Sequence, residues 1–420
     1  MSVDEMISLA EARALVLDRM QVMPPEEVDL LDAVGRVAAA DLTSDIDVSP
    51  FAHSAMDGFA VRMTELLEAT AEAPVCLNVI GDIGAGEVFE GSIGAGECVR
   101  IMTGAELPAD ADSVVKYEIV EVVEGDGKRG SIVSFAAPTT LGSNVRQAGE
   151  EARAGDVVMV RGEVIHEAGA GFLASCGSLR VPVYGRPTVG IIATGSELVP
   201  PSQVPGPGHI RESNSYAMAA CARAAGAVPT ILPIVKDTFK ALRNAVCEAA
   251  ERFDFVVTTG GAANGDYDFI KRVVADAGEL LMTQVNMRPG KAQTFGIVDG
   301  TPVFGLPGNP AAAYCGFQMI IRPALRKMQG FTCFDHPSVL ARLTRDIKKK
   351  DPRMMLLRAT LTKDAEGGYE VTPDSNQSSG LFGVIQKTNC LAVMPAGQGA
   401  KPAGSTLECI LLDVSEEVPL

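Results

Sequence analysis

The run PTVGIIATGSELV, residues 187–199, carries β-formers over Val189–Ala193. It then stops on a polar, glycine-bearing loop, Thr194-Gly195-Ser196-Glu197-Leu198. The same pattern returns in DFVVTTGG (254–261) and in PVFGLPGNP (302–310). Each apolar run has the length of a buried strand, and sequence of helical period follows it. The pattern predicts helices over Ser215–Ala225, Thr238–Arg252 and Ile270–Ala277, and a long apolar one from Ala311. It predicts strands over Val189–Ala193, Ile231–Val235, Asp254–Thr258 and Val303–Leu306, the last preceded by a β pair, Gln284–Met287 with Thr294–Val298. Strands and helices alternating at these lengths form a mostly parallel sheet covered on both faces, a three-layer α/β domain.

Ligands of such sheets bind beyond the carboxyl ends of the strands. The loops there carry Thr194, Gly195, Ser196 and Glu197, then Asp237, then Gly260-Gly261 with Asn264-Gly265-Asp266-Tyr267-Asp268, then Pro307-Gly308-Asn309. Glycine lets backbone N–H groups approach a phosphate, and a helix start adds a favourable dipole. The carboxylates Glu197, Asp237, Asp266 and Asp268 suit a divalent cation with a preference for oxygen, such as Mg2+. Arg288-Pro289-Gly290-Lys291 adds two cations. Plainer readings stand beside these: Gly260-Gly261 as a turn, Asp237 as the cap of the helix from Thr238, Asp266 and Asp268 as caps of the next helix, Lys291 as a surface lysine. The convergence of four loops favours a phosphate-bearing ligand with a divalent metal, and the residues alone go no further.

Upstream, Ser8 and Glu11 form a capping box before Leu9, Ala12, Leu15 and Val16, so a helix is expected, ended by Pro24-Pro25. A second helical piece is expected around Leu31 to Ala40. Residues 75 to 135 alternate short β runs with glycine turns. Within them Gly81-Asp82-Ile83-Gly84-Ala85-Gly86-Glu87 echoes as Gly91-Ser92-Ile93-Gly94-Ala95-Gly96-Glu97. No long helix pattern follows either copy, so two strand-turn units are expected in preference to a phosphate loop. After Gly330, runs at Ser338–Leu343, Met354–Leu361, Leu391–Met394 and Thr406–Leu412 read as a small all-β domain.

A chain of 420 residues needs two to four domains, and its net charge of -17 argues against a nucleic-acid partner. The nine cysteines form no C-x-x-C pair, and most sit beside apolar neighbours, so they read as buried reduced thiols. The four histidines are scattered, which argues against a histidine-ligated zinc site. Neither a signal peptide nor a membrane-spanning run is apparent, and the reading is a cytoplasmic protein.

The loop motifs at 194–198, 258–268, 289–291 and 305–310 resemble the molybdopterin-binding domain of the MoeA family, to which the gephyrin E domain belongs. Ser54-Ala55-Met56-Asp57-Gly58-Phe59-Ala60 resembles that family's N-terminal hallmark. Arg100-Ile101-Met102-Thr103-Gly104-Ala105 is similar to its second, and Asn144-Val145-Arg146 with Gly149-Glu150-Glu151 to its third. Gln377-Ser378-Ser379-Gly380-Leu381 and Asn389-Cys390-Leu391 follow in family order. The resemblance implies an elongated N-terminal domain from residues 1–47 and 144–185, with an inserted β-rich domain at 48–143. The α/β domain at 186–330 and a C-terminal β barrel at 331–420 complete it. It also implies a homodimer with the active site between subunits.

The implied chemistry is Mg2+-dependent insertion of molybdate into adenylylated molybdopterin, with release of AMP. Asp57, Thr103, Glu197, Asp237, Asp268 and Lys291 would be catalytic. Thr194, Gly195, Ser196, Gly260, Gly261, Gly265, Arg288, Pro307, Gly308, Asn309, Arg353, Ser378 and Ser379 would bind substrate, and Glu197, Asp237, Asp266 and Asp268 would hold the metal. The upstream molybdopterin adenylyltransferase is the expected protein partner. Relatives commonly carry lysine where this chain has Arg288, and serine where it has Ala312, which leaves molybdate against tungstate open. Two other readings compete: a nucleotide pyrophosphatase or adenylyltransferase on the same α/β domain, and a non-catalytic molybdopterin-binding scaffold.

Overall fold

A computed structural model describes residues 3, 5–260 and 269–412. The chain divides into two compact units, Met1–Glu26 with Val183–Leu420, and Glu27–Pro182. No helix among the described residues is long and apolar enough to cross a membrane.

The larger unit holds a six-stranded sheet in the order Val228–Ile231, Thr188–Ala193, Phe255–Thr259, Thr301–Leu306, Ala292–Val298, Gly278–Gln284. The first four strands are parallel and the last two complete an antiparallel hairpin edge. Side chains alternate between two cores. Val189, Ile191, Phe255 and Val257 pack with Met218, Leu325 and the N-terminal helix residues Leu9, Ala12 and Val16. Ile192, Val256 and Val303 pack on the other side with Leu242, Val246, Val273 and Val274. Both faces are therefore dry, which is what the near-continuous apolar strands require.

The helices Asn214–Ala224, Phe239–Ala250 and Phe269–Ala277 match the helical periods in the sequence, and Pro310–Met328 is one helical run interrupted by a π-helical stretch, Phe317–Ile321. The capping box at Ser8 and Glu11 is present.

Four elements depart from expectation, the first being the N-terminal helix, which ends at Asp18, well before Pro24-Pro25. The strand read at Ile231–Val235 lies at Val228–Ile231, because Pro233 has no N–H to continue the ladder. The helical piece read at Leu31 to Ala40 is only a 3-10 turn, Leu30–Ala33. Gly35 then takes φ +79°, and Val37 bridges Val164. The hairpin strand read at Gln284–Met287 ends at Gln284. Met287 and Arg288 leave the sheet and pair in parallel with Met354 and Met355.

That pairing ties the α/β domain to a closed five-stranded barrel made of Met354–Lys363, Tyr369–Pro373, Ser338–Leu343, Thr406–Leu411 and Cys390–Met394. Its interior is filled by Leu343, Leu357, Leu361, Val371, Met394 and Leu407 among others.

The smaller unit holds a second six-stranded sheet, Ser113–Lys116, Gly58–Val61, Glu97–Ile101, Val75–Ile83, Ile132–Phe135, Glu121–Glu124. The flanking segments pair with one another, Leu42–Thr43 with Val157–Met159 and His53–Ser54 with Val145–Arg146. The sequence echo is one turn made twice. Glu87 accepts the Gly84 N–H at 2.8 Å and Glu97 the Gly94 N–H at 2.7 Å, with Gly86 and Gly96 both at positive φ.

His336 gives the larger unit a titratable weak point. Its Nε2 lies 2.9 Å from Gln318 Oε1, and burial, then the charges of Arg322 and Arg326, push its pKa down to about 4. The unfolded chain binds that proton near pH 6.5, so this contribution to stability is complete above about 6.5 and is lost as pH falls toward 4. Urea unfolding between pH 7 and 4.5 is expected to show a decline of roughly 2 kcal/mol that His336→Gln flattens. An unchanged slope in the variant would assign the decline elsewhere.

Candidate active site

The carboxyl ends of the parallel strands open into a cavity of about 1240 Å³, closed on its other side by the barrel. Thr194, Glu197, Asp237, Gly260, Arg288, Lys291, Pro307, Gly308, Asn309, Arg353, Ser378 and Ser379 all line it, so twelve sequence-selected residues meet in one place. Gly195 and Ser196 belong to the same loop without lining the cavity: Gly195 is buried and Ser196 exposed. Gly261, Gly265, Asp266 and Asp268 lie outside the described residues.

The glycine loops divide by what their N–H groups do. Gly195 donates to the Val235 carbonyl and Gly260 to the Leu306 carbonyl, so neither amide is open to a phosphate. Gly260 is instead required by space: its φ is +90°, and a Cβ there would lie 2.1 Å from the Thr194 carbonyl oxygen. The Gly308 and Asn309 N–H groups have no protein partner among the described residues and border the cavity, so the open amides are there. Of the described glycines in these loops, Gly195 and Gly260 have their amides committed to the protein and Gly308 does not.

Asp237 does not cap the helix after it, since Thr238 is the N-cap and accepts from the Ala241 N–H. Its carboxylate accepts the Thr194 hydroxyl at 2.9 Å. Glu197 and Asp237 both line the cavity as oxygen donors, and magnesium usually takes few protein carboxylates, completing its shell with water and phosphate. Among the described residues no three His, Cys, Asp or Glu side chains gather as a metal cage. The donor chemistry fits a hard cation.

The cationic side is organised by Asp351. Arg353 donates to it through Nε at 2.9 Å and Nη2 at 2.5 Å, and Arg288 through Nη1 at 3.1 Å. Arg353 holds the Asp351 carboxyl well below the usual carboxylate range, with Arg288 adding to the effect, so the bridge is ionised at any working pH. Lys291 has no ion-pair partner among the described residues.

Sequence reasoning passed over several cavity residues. Asn214 donates from Nδ2 to Thr259 Oγ1 at 3.0 Å and to the Gly308 carbonyl at 2.8 Å, tying two loops together. Glu212 accepts the Ser215 N–H at 2.7 Å at the start of that helix. Arg358 was also missed, as was Asp351, which stands behind Arg288 and Arg353.

In the smaller unit the three other hallmarks converge. Phe59 pairs with Arg100, the Asn144 carbonyl accepts the Ala55 N–H, and Asp57 Oδ1 accepts both the Thr103 N–H and its hydroxyl at 2.8 Å. The Thr103 N–H, then its hydroxyl, hold the Asp57 carboxyl below its ordinary range. Gly58 is not a turn glycine: it begins a strand, and a Cβ there would lie 2.1 Å from the Val115 carbonyl oxygen.

Family sequence models cover both units: the MoeA N-terminal region (domain I and II) matches residues 7–177, a probable molybdopterin-binding domain 190–327, and the MoeA C-terminal region (domain IV) 340–412. The chain belongs to the MoeA family. Its similarity to the molybdopterin molybdenumtransferase of Bacillus subtilis (strain 168) is 37% identity over 391 residues, 92% of this chain and 90% of the relative. To that of Staphylococcus aureus (strain COL) it is 35% over 416 residues, 98% and 97%. A crystal structure of a molybdopterin biosynthesis MoeA protein from Pyrococcus horikoshii superposes with a TM-score of 0.82 at 29% identity, covering 97% of this chain and 99% of that one. The cavity of this MoeA-family chain therefore lies where the molybdopterin-binding and C-terminal family regions meet.

Proposed function

We propose that the chain is a molybdopterin molybdenumtransferase that inserts molybdate into adenylylated molybdopterin and releases AMP, with Mg2+ required. Membership of the MoeA family supports an enzyme of molybdenum cofactor biosynthesis. The observation carrying the finer reading is one cavity with open amides at Gly308 and Asn309, carboxylates at Glu197 and Asp237, and cations at Lys291, Arg288 and Arg353. The amides would receive the phosphates, and Thr194 would keep Asp237 oriented.

Glu197 and Asp237, joined by Asp266 and Asp268, would hold Mg2+, which would neutralise phosphate charge as the anhydride breaks. One water would add across the anhydride, giving AMP with one phosphate and leaving the other on the pterin; the two dithiolene sulfurs would replace oxygens of molybdate, which would leave as water with the thiol protons. Lys291, Arg288, Arg353 and the hydroxyls of Ser378 and Ser379 would hold the oxyanion. Gly195, Ser196, Gly261 and Gly265 would shape the loops around the nucleotide.

Asp57 and Thr103 would act from a second copy of the chain, so that a homodimer forms each complete site. The four-part division at residues 47, 143, 185 and 330, a cytoplasmic setting and docking of the enzyme that supplies the adenylylated pterin belong to the same proposal. AMP release should require both molybdate and Mg2+, measured by chromatography with each omitted in turn. Release that ignores molybdate would point to a pyrophosphatase, and tight binding without release to a scaffold.

Asp351 offers a separate test. Asp351→Asn removes the carboxylate that Arg288 and Arg353 share, so simple oxyanions should bind a few-fold more tightly, with a steeper loss on adding salt. Turnover should nonetheless fall, because the guanidiniums lose the geometry the carboxylate imposes. Titrations at two ionic strengths beside AMP-release rates check both halves.

A further inference from the structure

Arg288 and Lys291 ride on the loop Arg288-Pro289-Gly290-Lys291, and Gln293 follows it on the sheet strand Ala292–Val298. Gln293 is fully buried and does not line the cavity. Its Nε2 donates to the Gly290 carbonyl at 2.7 Å and to the Met287 sulfur at 3.0 Å. Both partners can only accept, so the amide is held with its nitrogen toward the loop. Its Oε1 is buried and has no hydrogen-bond partner among the described residues. That oxygen backs onto the helical run from Pro310, where a Cβ on Gly316 would lie 2.8 Å from it.

A buried acceptor without a donor is destabilising, and so is a glycine inside a helix. An aliphatic side chain at 293 would avoid the first. What the amide supplies instead is a grip on the loop. The peptide joining Gly290 to Lys291 is trans, so its N–H points away from its carbonyl. Gln293 draws that carbonyl into the packed interior, which turns the Lys291 N–H to the other side, where Gly290 and Lys291 border the cavity. The Lys291 N–H has no protein partner among the described residues. Gly290, at φ +102°, is a joint on which an unheld peptide turns over readily. Turned over, it would put a carbonyl oxygen where the donor stands.

We propose that Gln293 is a positioning residue for the oxyanion. By holding the Gly290 carbonyl it keeps the Lys291 N–H aimed into the cavity as a donor to a tetrahedral oxyanion, adding to the charges of Lys291 and Arg288. This rests on reading the cavity as the site of molybdate insertion, and it gives the cationic loop a backbone donor set by a residue outside the cavity.

The test uses the full chain titrated calorimetrically with sodium molybdate and, separately, with AMP, for wild type, Gln293→Met, Gln293→Asn and Lys291→Met. Methionine keeps a similar length and loses the N–H. Gln293→Met should weaken molybdate binding by about 10- to 100-fold, the worth of a hydrogen bond to a charged group, and leave AMP binding unchanged. In the AMP-release assay the half-saturating molybdate concentration should rise by the same factor, with the saturated rate unchanged. A lowered Tm with molybdate affinity intact would mean a merely structural glutamine and overturn the proposal. Equal loss of both ligands would overturn it too, since the whole cavity would then have been disturbed.

If Gln293→Met does not fold, Gln293→Asn decides, because it keeps a buried amide that falls one methylene short of the Gly290 carbonyl. Weakened molybdate binding with AMP binding intact supports the assignment, and undiminished molybdate binding overturns it. Molybdate binding lost in Lys291→Met but kept in both Gln293 variants overturns Gln293 and leaves the wider reading standing. Full binding in all three variants, or none in wild type, overturns that reading as well.

Discussion

Gly260→Ala is expected to destabilise the protein by about 4 kcal/mol or more, among the largest effects a single methyl can have. The reason is local. Gly260 sits at φ +90°, where an L side chain is strained, and the added Cβ would meet a backbone oxygen, that of Thr194, at 2.1 Å. Backbone cannot swing away as a side chain can. Thr194 is held by its own N–H to the Thr259 carbonyl and by its hydroxyl to Asp237, so the strain would pass straight into the site. Gly308→Ala is the contrast: a Cβ there comes no nearer than 3.6 Å to Gly260, an ordinary contact, and φ is not positive. Its stability should change by less than about 1 kcal/mol while phosphate binding weakens, since the methyl crowds the open amide. Urea unfolding of the pair separates the two kinds of glycine, and equal stability losses would refute the distinction.

Asp237→Asn is expected to lower turnover by about 10²- to 10³-fold with little loss of stability. Asparagine can still accept the Thr194 hydroxyl, and the helix after it keeps its Thr238 cap, so the fold gives up almost nothing. What disappears is a negative charge at the cavity, and with it the cation ligand proposed above. Raising Mg2+ should recover part of the rate if the loss is one of metal affinity. AMP-release rates across a Mg2+ series, beside the unfolding curve, check this. A variant with wild-type turnover would remove Asp237 from the site.

The parts of the fold legible in the sequence were those with a clear period. Ser338–Leu343 falls where its alternation puts it, and the strands ending at Ala193, Thr259 and Leu306 announce themselves by apolar runs stopping on glycine loops. Positions fixed by long-range pairing were not legible. Asp351 follows Lys348-Lys349-Lys350 and reads as part of a solvated charged run. Only the pairing of Met287 and Arg288 with Met354 and Met355 brings Arg288 to it. Asn214 follows Ser213 at a helix start and reads as a cap, whereas its amide bridges Thr259 and Gly308 across the sheet edge. Arg358 did leave a signal, a lone charge inside an apolar strand, and burial gives that signal its meaning.

The most direct test of the central claim is to measure pterin-bound molybdenum against AMP released in a single turnover of adenylylated molybdopterin, molybdate and Mg2+. The two should appear together in equal amounts and at one rate, and Asp237→Asn should suppress both. AMP released while the pterin product stays free of metal would contradict it, leaving a hydrolase built on the same cavity.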